Sequence, residues 1–111
     1  MYDVRHVLRK AGLRSTYSGY NYLASAVALV LKDQEFYLKN VTSNLYRVVG
    51  EQYGVSKMCV EAAIRTMINS YWNQNSNKIL SPLLGYPVFD KPTASEFISM
   101  LADYIQDHSS R

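Results

Sequence analysis

The chain has 111 residues, which suits one domain and is enough to bury a core without disulfides or metal ions. Its single cysteine cannot form an internal disulfide, and no apolar run approaches the roughly 20 residues that a membrane span requires. The net charge of +3 permits a polyanionic partner without requiring one. We therefore expect one cytoplasmic domain, residues 1–111, with neither a signal peptide nor a membrane anchor.

An amphipathic pattern at the start of the chain predicts a short helix over residues 2–11, which Gly12 would end. Its inward positions are Val4, Val7 and Leu8, and its outward positions are the basic residues Arg5, Arg9 and Lys10. A second helix is predicted over residues 19–32, where apolar residues repeat with helical period and cover most of the circumference. Such a helix is typical of the centre of a core. Residues 33–40 show no decisive pattern, and we interpret them as a connector.

Residues 45–72 predict two helices joined by a tight turn, within a helix-turn-helix that spans about residues 43–72. The first helix, which Thr42 or Ser43 can cap, is apolar on one side and ends at Gly54. Its apolar side consists of Leu45, Val48, Val49 and Tyr53. A helix-turn-helix also needs a small residue in the first helix, an apolar residue after the turn and apolar positions in the second helix. These needs are met, in that order, by Gly50, Val55, Val60 and Ala63.

The second helix of this pair, predicted over residues 57–72 with Ser56 as its N-cap, has two different faces. At about 100° per residue, one narrow arc is apolar and a mostly polar set lies opposite. The apolar arc consists of Val60, Ile64, Met67 and Tyr71. The candidate DNA-binding residues are Ser56, Lys57, Met58, Glu61, Ala62, Arg65, Thr66 and Asn69. An ordinary helical hairpin would show the same spacing. The spacing alone therefore does not distinguish a DNA-binding helix-turn-helix from such a hairpin.

The remaining third of the chain predicts one long helix and little other regular structure. The polar run 73–77 is expected to end the second helix of the pair, because Asn and Ser compete for backbone hydrogen bonds. At most a short helix ending at Gly85 follows, then an irregular loop. Thr93 and Glu96 form a capping box for the last helix. The apolar stripe of that helix is Phe97, Met100, Leu101, Tyr104 and Ile105. No segment alternates like a strand, so the predicted fold class is all-α, a compact bundle of about six helices.

Residues for catalysis or for binding a metal or cofactor are not indicated. His6 and His108 lie near opposite ends of the chain, and no His, Cys, Asp or Glu group has metal-ligand spacing. Cys59 has no neighbouring base in the sequence, and we interpret it as a partly buried thiol. The five glycines are scattered and form no phosphate-binding loop. The pattern therefore indicates neither an enzyme nor a cofactor-binding protein.

Several separate segments resemble a known family, the C-terminal DNA-binding effector domain of the stage zero sporulation response regulator of spore-forming Firmicutes. The resemblance runs over residues 4–107. Its most specific parts are residues 19–23, residues 60–65 together with Trp72, residues 84–86, residues 91–93 and residues 95–98. Several segments in the same order are much harder to match by chance than one motif.

The resemblance implies a six-helix bundle whose recognition helix enters the DNA major groove at a short motif, often present in tandem copies. Glu61 and Arg65 match acidic and basic residues of the family's recognition helix. Ala62 stands where the family carries an arginine that reads a guanine, and alanine has no donor for that contact. The resemblance also implies contacts with RNA polymerase sigma subunits and pairing through the last helix on tandem sites. The target sequence is left open by the change at Ala62.

The sequence is therefore compatible with two functions. One is a sequence-specific DNA-binding transcription regulator, and the other is a helical interaction module that keeps the fold without specific DNA binding. The alanine at position 62 supports the second. The family's phosphorylatable receiver domain is not among these residues, so the chain is either an excised effector domain or a free-standing relative. Because no helix carries a heptad seam and the family's dimerisation switch lies in that receiver domain, we expect a monomer in dilute solution.

Overall fold

Seven α-helices and one π-helical turn form most of the chain that the computed structural model describes, which is residues 3–109, with side chains to residue 108. In order they are α1 (Val4–Lys10), α2 (Tyr20–Lys32), α3 (Gln34–Lys39), the π-helical turn (Val41–Tyr46), α4 (Arg47–Tyr53), α5 (Lys57–Asn75), α6 (Leu80–Leu84) and α7 (Ala94–Ser109). No strand occurs among the described residues. The predicted all-α fold class is confirmed, and the helix count exceeds six because short segments form helices of their own.

Helix α2 lies at the centre of the bundle, as its all-round apolar sequence predicted. It packs against α1, α3, α4, α5 and α7. Its side chains Leu23, Val27 and Val30 are fully buried, and α7 places Phe97 and Leu101 in the same core. Removal of these side chains from water is the main favourable contribution to folding. The remaining helices are therefore arranged around α2.

Glycine at position 19 allows α2 to begin directly against the backbone of α5. A Cβ atom at Gly19 would lie 2.5 Å from the carbonyl oxygen of Ala63 and 2.8 Å from its carbonyl carbon. Both distances are shorter than real Cβ contacts, so any side chain there would push the two helices apart. A second tie holds α5 in place, because the buried hydroxyl of Tyr71 donates a hydrogen bond to the carbonyl oxygen of Ala11. Together these contacts determine how deeply α5 sits in the bundle.

The segment between α2 and α4 was predicted incorrectly. Residues 33–40 are not a connector, because the Asp33 side chain accepts a hydrogen bond from the Phe36 backbone N–H at 3.2 Å and starts α3. Neither Thr42 nor Ser43 is the cap of the next helical segment. Asn40 has that role, since its side chain accepts from the Ser43 N–H at 3.2 Å where the π-helical turn begins.

Other helix ends also need correction. Helix α5 does not stop at Trp72 but continues to Asn75, where the Asn75 side-chain amide donates to the Tyr71 carbonyl at 3.1 Å and so supports the last turn. The predicted first helix begins at Val4 rather than Tyr2, which lies outside the described residues, and Asp3 is its N-cap. By contrast, the capping box of α7 is confirmed in both directions. The Thr93 hydroxyl accepts from Glu96 N–H at 3.2 Å, and the Glu96 carboxylate accepts from Thr93 N–H at 2.9 Å.

We predict that Gly19→Ala lowers the free energy of unfolding by about 1–3 kcal/mol, because the added methyl group overpacks the contact between α2 and α5. Alanine restricts the unfolded chain more than glycine does, and this effect offsets only part of the loss. Urea denaturation followed by circular dichroism measures the change. Ser18→Ala, at the exposed neighbouring position, is the matched control. Equal stability of Gly19→Ala and the parent would contradict this account of the packing.

Candidate nucleic-acid interface

Helices α4 and α5 are joined by a tight turn over residues 54–56, an arrangement consistent with the predicted helix-turn-helix. Gly54 has a φ of +70°, the left-handed conformation that glycine adopts without strain. The backbone N–H of Val55 donates to the Gly50 carbonyl at 2.9 Å, which closes the turn. The Ser56 hydroxyl then accepts from the Cys59 N–H at 3.1 Å and caps α5, as predicted.

The small residue predicted in the first helix is required by a close backbone contact. A Cβ atom at Gly50 would lie 2.5 Å from the carbonyl oxygen of Val55. Helix α4 can therefore approach the turn only where it carries glycine. Val55 itself is half-buried against the core, so the turn is held on both sides. The direction of α5 relative to α4 follows from this contact and from the left-handed turn.

The two predicted faces of α5 are found in the structure. The predicted inward residues Val60, Ile64, Met67 and Tyr71 are all buried, and Ile68 joins them. The exposed residues are Ser56, Lys57, Met58, Cys59, Ala62, Arg65 and Thr66, while Glu61 and Asn69 are half-buried. Cys59 is exposed rather than partly buried, because it lies about 100° around the helix from Val60 and outside the packed arc.

An ion pair lies at one edge of the exposed face. The guanidinium of Arg65 is 3.6 Å from the carboxylate of Glu61, at i, i+4 spacing, and the side chains are 61% and 30% exposed respectively. Exposed pairs of this kind contribute only about 0.3–0.5 kcal/mol. Arg65 can therefore leave Glu61 for another acceptor at little cost. The basic side chain is available for a ligand even though it is paired in the free domain.

A cleft of about 400 Å³ lies beside this ion pair, between α5, the π-helical turn and the start of α7. Tyr46, Glu61, Arg65 and Asn69 line it, with Lys91 opposite. Burial raises the pKa of the Tyr46 hydroxyl to about 12, the carboxylate of Glu61 also raises it, and the guanidinium of Arg65 lowers it. Tyr46 is therefore neutral at physiological pH. The only formal charges that line this described cleft come from Glu61, Arg65 and Lys91.

Lys91 lies beside the candidate interface, although the sequence predicted no role for it. It lies in the loop between α6 and α7, and its ammonium group donates a hydrogen bond to the Asn69 side-chain oxygen. The two residues are 22 positions apart, so helical periodicity could not relate them. The only sequence signal was that Lys91 begins one of the segments that resemble the family.

The basic residues of α1, with Arg14 shortly after it, form a second candidate contact surface. Arg9, Lys10 and Arg14 are exposed, and the Lys10 ammonium group donates a hydrogen bond to the Tyr104 hydroxyl at 3.4 Å. Arg5 already has internal partners, because its guanidinium donates to the Asn21 side-chain oxygen at 2.8 Å and lies 5.6 Å from the centre of the Tyr20 ring. Arg5 therefore links α1 to α2 and is less available to a ligand than the sequence suggested.

In the described part of the chain, no group of three or more His, Cys, Asp and Glu side chains is arranged to hold a metal ion. Among residues 3–109, none of the helices has both the length and the apolar character needed to cross a membrane.

The comparison with known families agrees with the resemblance seen in the sequence. Residues 4–105, nearly the whole chain, match the family described as "Sporulation initiation factor Spo0A C terminal". The domains of that family bind DNA and regulate transcription in sporulation, and the family is regulatory rather than enzymatic. The chain belongs to the family of the C-terminal domain of the sporulation initiation factor Spo0A.

Proposed function

We propose that this domain is a sequence-specific DNA-binding transcription regulator whose helix α5 enters the major groove of duplex DNA. The observation that carries the proposal is the face of α5 that remains exposed after the domain has folded. Met58, Ala62, Arg65 and Thr66 are exposed there, directly after a tight turn that fixes the direction of the helix. An exposed helix of this kind fits the width of the major groove. Family membership supports the same function.

In the proposed mechanism, one set of groups positions the domain on the DNA phosphates and another set contacts the base edges. The first N–H groups of α5 and the ammonium of Lys57 contact phosphates and set the register of the domain on DNA. Arg65 reads a guanine through its O6 and N7 atoms, and Glu61 accepts from a cytosine amino group. Ala62 supplies an apolar contact that suits a thymine methyl group. The domain would act in the cytoplasm, where bacterial DNA is found.

The second candidate function is a helical interaction module that keeps the fold without specific DNA binding. It is favoured by one feature of the exposed face, where Ala62 offers no hydrogen bond donor and Met58 is 61% exposed. An apolar pair on a helix can contact a protein groove. Titration with random and sporulation-type duplexes separates the two functions, because only the first predicts a preference among sequences.

We predict that binding to duplex DNA weakens steeply as salt increases, because each phosphate contact releases counterions. Fluorescence anisotropy over a series of salt concentrations gives the slope. Lys57→Ala should reduce that slope by about 1 if Lys57 contacts a phosphate. The exposed basic residues Arg9, Lys10 and Arg14 are further candidates, with Arg5 a weaker one. Binding that does not change with salt, or no binding at micromolar protein, would count against DNA binding altogether.

Replacement of Arg65 should distinguish a base contact from a phosphate contact. If Arg65 reads a base, Arg65→Ala weakens binding to the preferred duplex by about 1–3 kcal/mol and relaxes the preference at one position. A phosphate contact would weaken binding to all duplexes about equally. Arg47→Ala is a matched control, since Arg47 forms an exposed i, i+4 pair with Glu51 at 3.0 Å on α4. Selection from randomised duplexes measures both, and unchanged base preference in Arg65→Ala would refute the reading role.

We expect Ala62→Arg to increase the preference for the family's motif over random DNA. Position 62 is exposed and packs against no core residue, so an arginine fits there without strain in the fold. Its guanidinium would restore the donors for a guanine edge. The measurement is the same selection on randomised duplexes. Identical base preferences of the parent and of Ala62→Arg would contradict the proposed way in which α5 reads DNA.

We also propose that the free domain is a monomer and pairs mainly on tandem DNA sites. The exposed residues of α5 form no heptad seam that would favour a coiled-coil dimer. Sedimentation velocity of the free domain should give a single species of monomer mass, and a tight dimer without DNA would overturn the proposal. Contact with an RNA polymerase sigma subunit rests on the resemblance alone, and cross-linking to a purified sigma subunit would test it.

A further inference from the structure

In the free domain, an exposed hydrogen bond between Lys91 and Asn69 orients the Asn69 side chain. An ammonium group has only donors, so its partner in the Asn69 amide must be the oxygen. The amide NH₂ group takes no part in this bond, so its two donors remain for a ligand. Asn69 lies on the same side of α5 as Ala62 and Arg65, one turn beyond Arg65. The contact therefore leaves the two amide donors available to DNA and places a positive charge beside the oxygen, which keeps one lone pair.

The loop that carries Lys91 is held on both sides of that residue. Before it, Val88 is buried, its N–H donates to the Ser81 hydroxyl at 2.9 Å, and its carbonyl accepts from the Asn77 amide at 2.8 Å. After it, Pro92 is buried and Thr93 begins the capping box of α7. The backbone at Lys91 is thus anchored close to α5. Because the backbone is already ordered, the contact with Asn69 costs only the conformational entropy of the lysine side chain and not that of the loop as well.

We propose that Lys91 is a positioning residue that sets the base preference of Asn69, an inference that rests on the proposed function of α5. A free Asn side chain suits adenine, because it donates to N7 and accepts from the N6 amino group at once. With Lys91 on its oxygen, Asn69 presents donors together with a neighbouring positive charge. Both features favour a base edge that carries acceptors, as in guanine O6 and N7 or thymine O4, and disfavour the amino group of adenine.

The experiment combines duplex selection with a measurement on the free domain. Selection with the parent should give a preference for guanine or thymine over adenine of about fivefold or more at one position, and Asn69→Ala should abolish it. Lys91→Met, which keeps the length and removes the donors, should shift that position toward adenine. The matched control is Lys32→Met, an exposed lysine at the end of α2 distant from the contact with α5. In the free domain, the NMR signals of the Asn69 side-chain amide should move in Lys91→Met and remain in Lys32→Met.

The outcomes separate this inference from the proposed function. An Asn69 amide signal that is unchanged by Lys91→Met would overturn the inference, whatever the result of the duplex selection. Uniformly weaker binding with unchanged base preference would overturn it too, because Lys91 would then be a simple phosphate contact. If the amide signal moves but no duplex binds even in the parent, the proposed function has failed, and the positioning role of Lys91 in DNA reading is overturned with it. A shift toward adenine together with a moved amide signal supports the inference.

Discussion

The packing of α5 against the central helix α2 is the constraint on which the rest of the structure depends. Gly19 brings the start of α2 against the backbone of α5 at Ala63, and the Tyr71 hydroxyl ties the same helix to the end of α1. Because packing of this kind buries one face of α5, the other face is left exposed. The exposure of Ala62 and Arg65 thus follows from how the opposite face is buried.

Because the buried and exposed faces of α5 are separate, substitutions on the exposed face should change the free energy of unfolding only slightly. Arg65 forms a weak ion pair with Glu61 and is itself mostly exposed, and Ala62 is an exposed residue that favours the helix. The exchange that the resemblance implies at position 62, alanine for the family's arginine, should therefore cost little in folding. Under the proposed function, a change in DNA preference can arise on this face without a compensating change in the core. The same independence makes Lys91 important, because it is a contact from outside α5 that constrains a residue on that face.

Much of the fold was predictable because its determinants are local. The left-handed turn at Gly54, the cap at Ser56 and the capping box of α7 each involve residues within four positions of one another, and the buried arc of α5 repeats at spacings of three or four positions. Short segments with mixed composition were not predictable. Asp33 and Asn40 start helical segments through single side-chain hydrogen bonds, and six-residue helices carry too few turns to show a period.

The sequence by itself determined the all-α fold, the helix-turn-helix signature and six exposed residues of the candidate DNA-binding face, because helical periodicity and capping chemistry are encoded over one or two turns. Only the tertiary structure decided which polar residues of distant segments meet. Arg5 binds Asn21, which reduces its availability to DNA, and Lys91 reaches Asn69 across 22 positions. The physical reason is that such contacts depend on the path of the intervening loop and on the close approach of backbones at glycines. Neither the path of a loop nor a close backbone contact can be predicted from a periodic pattern in the sequence.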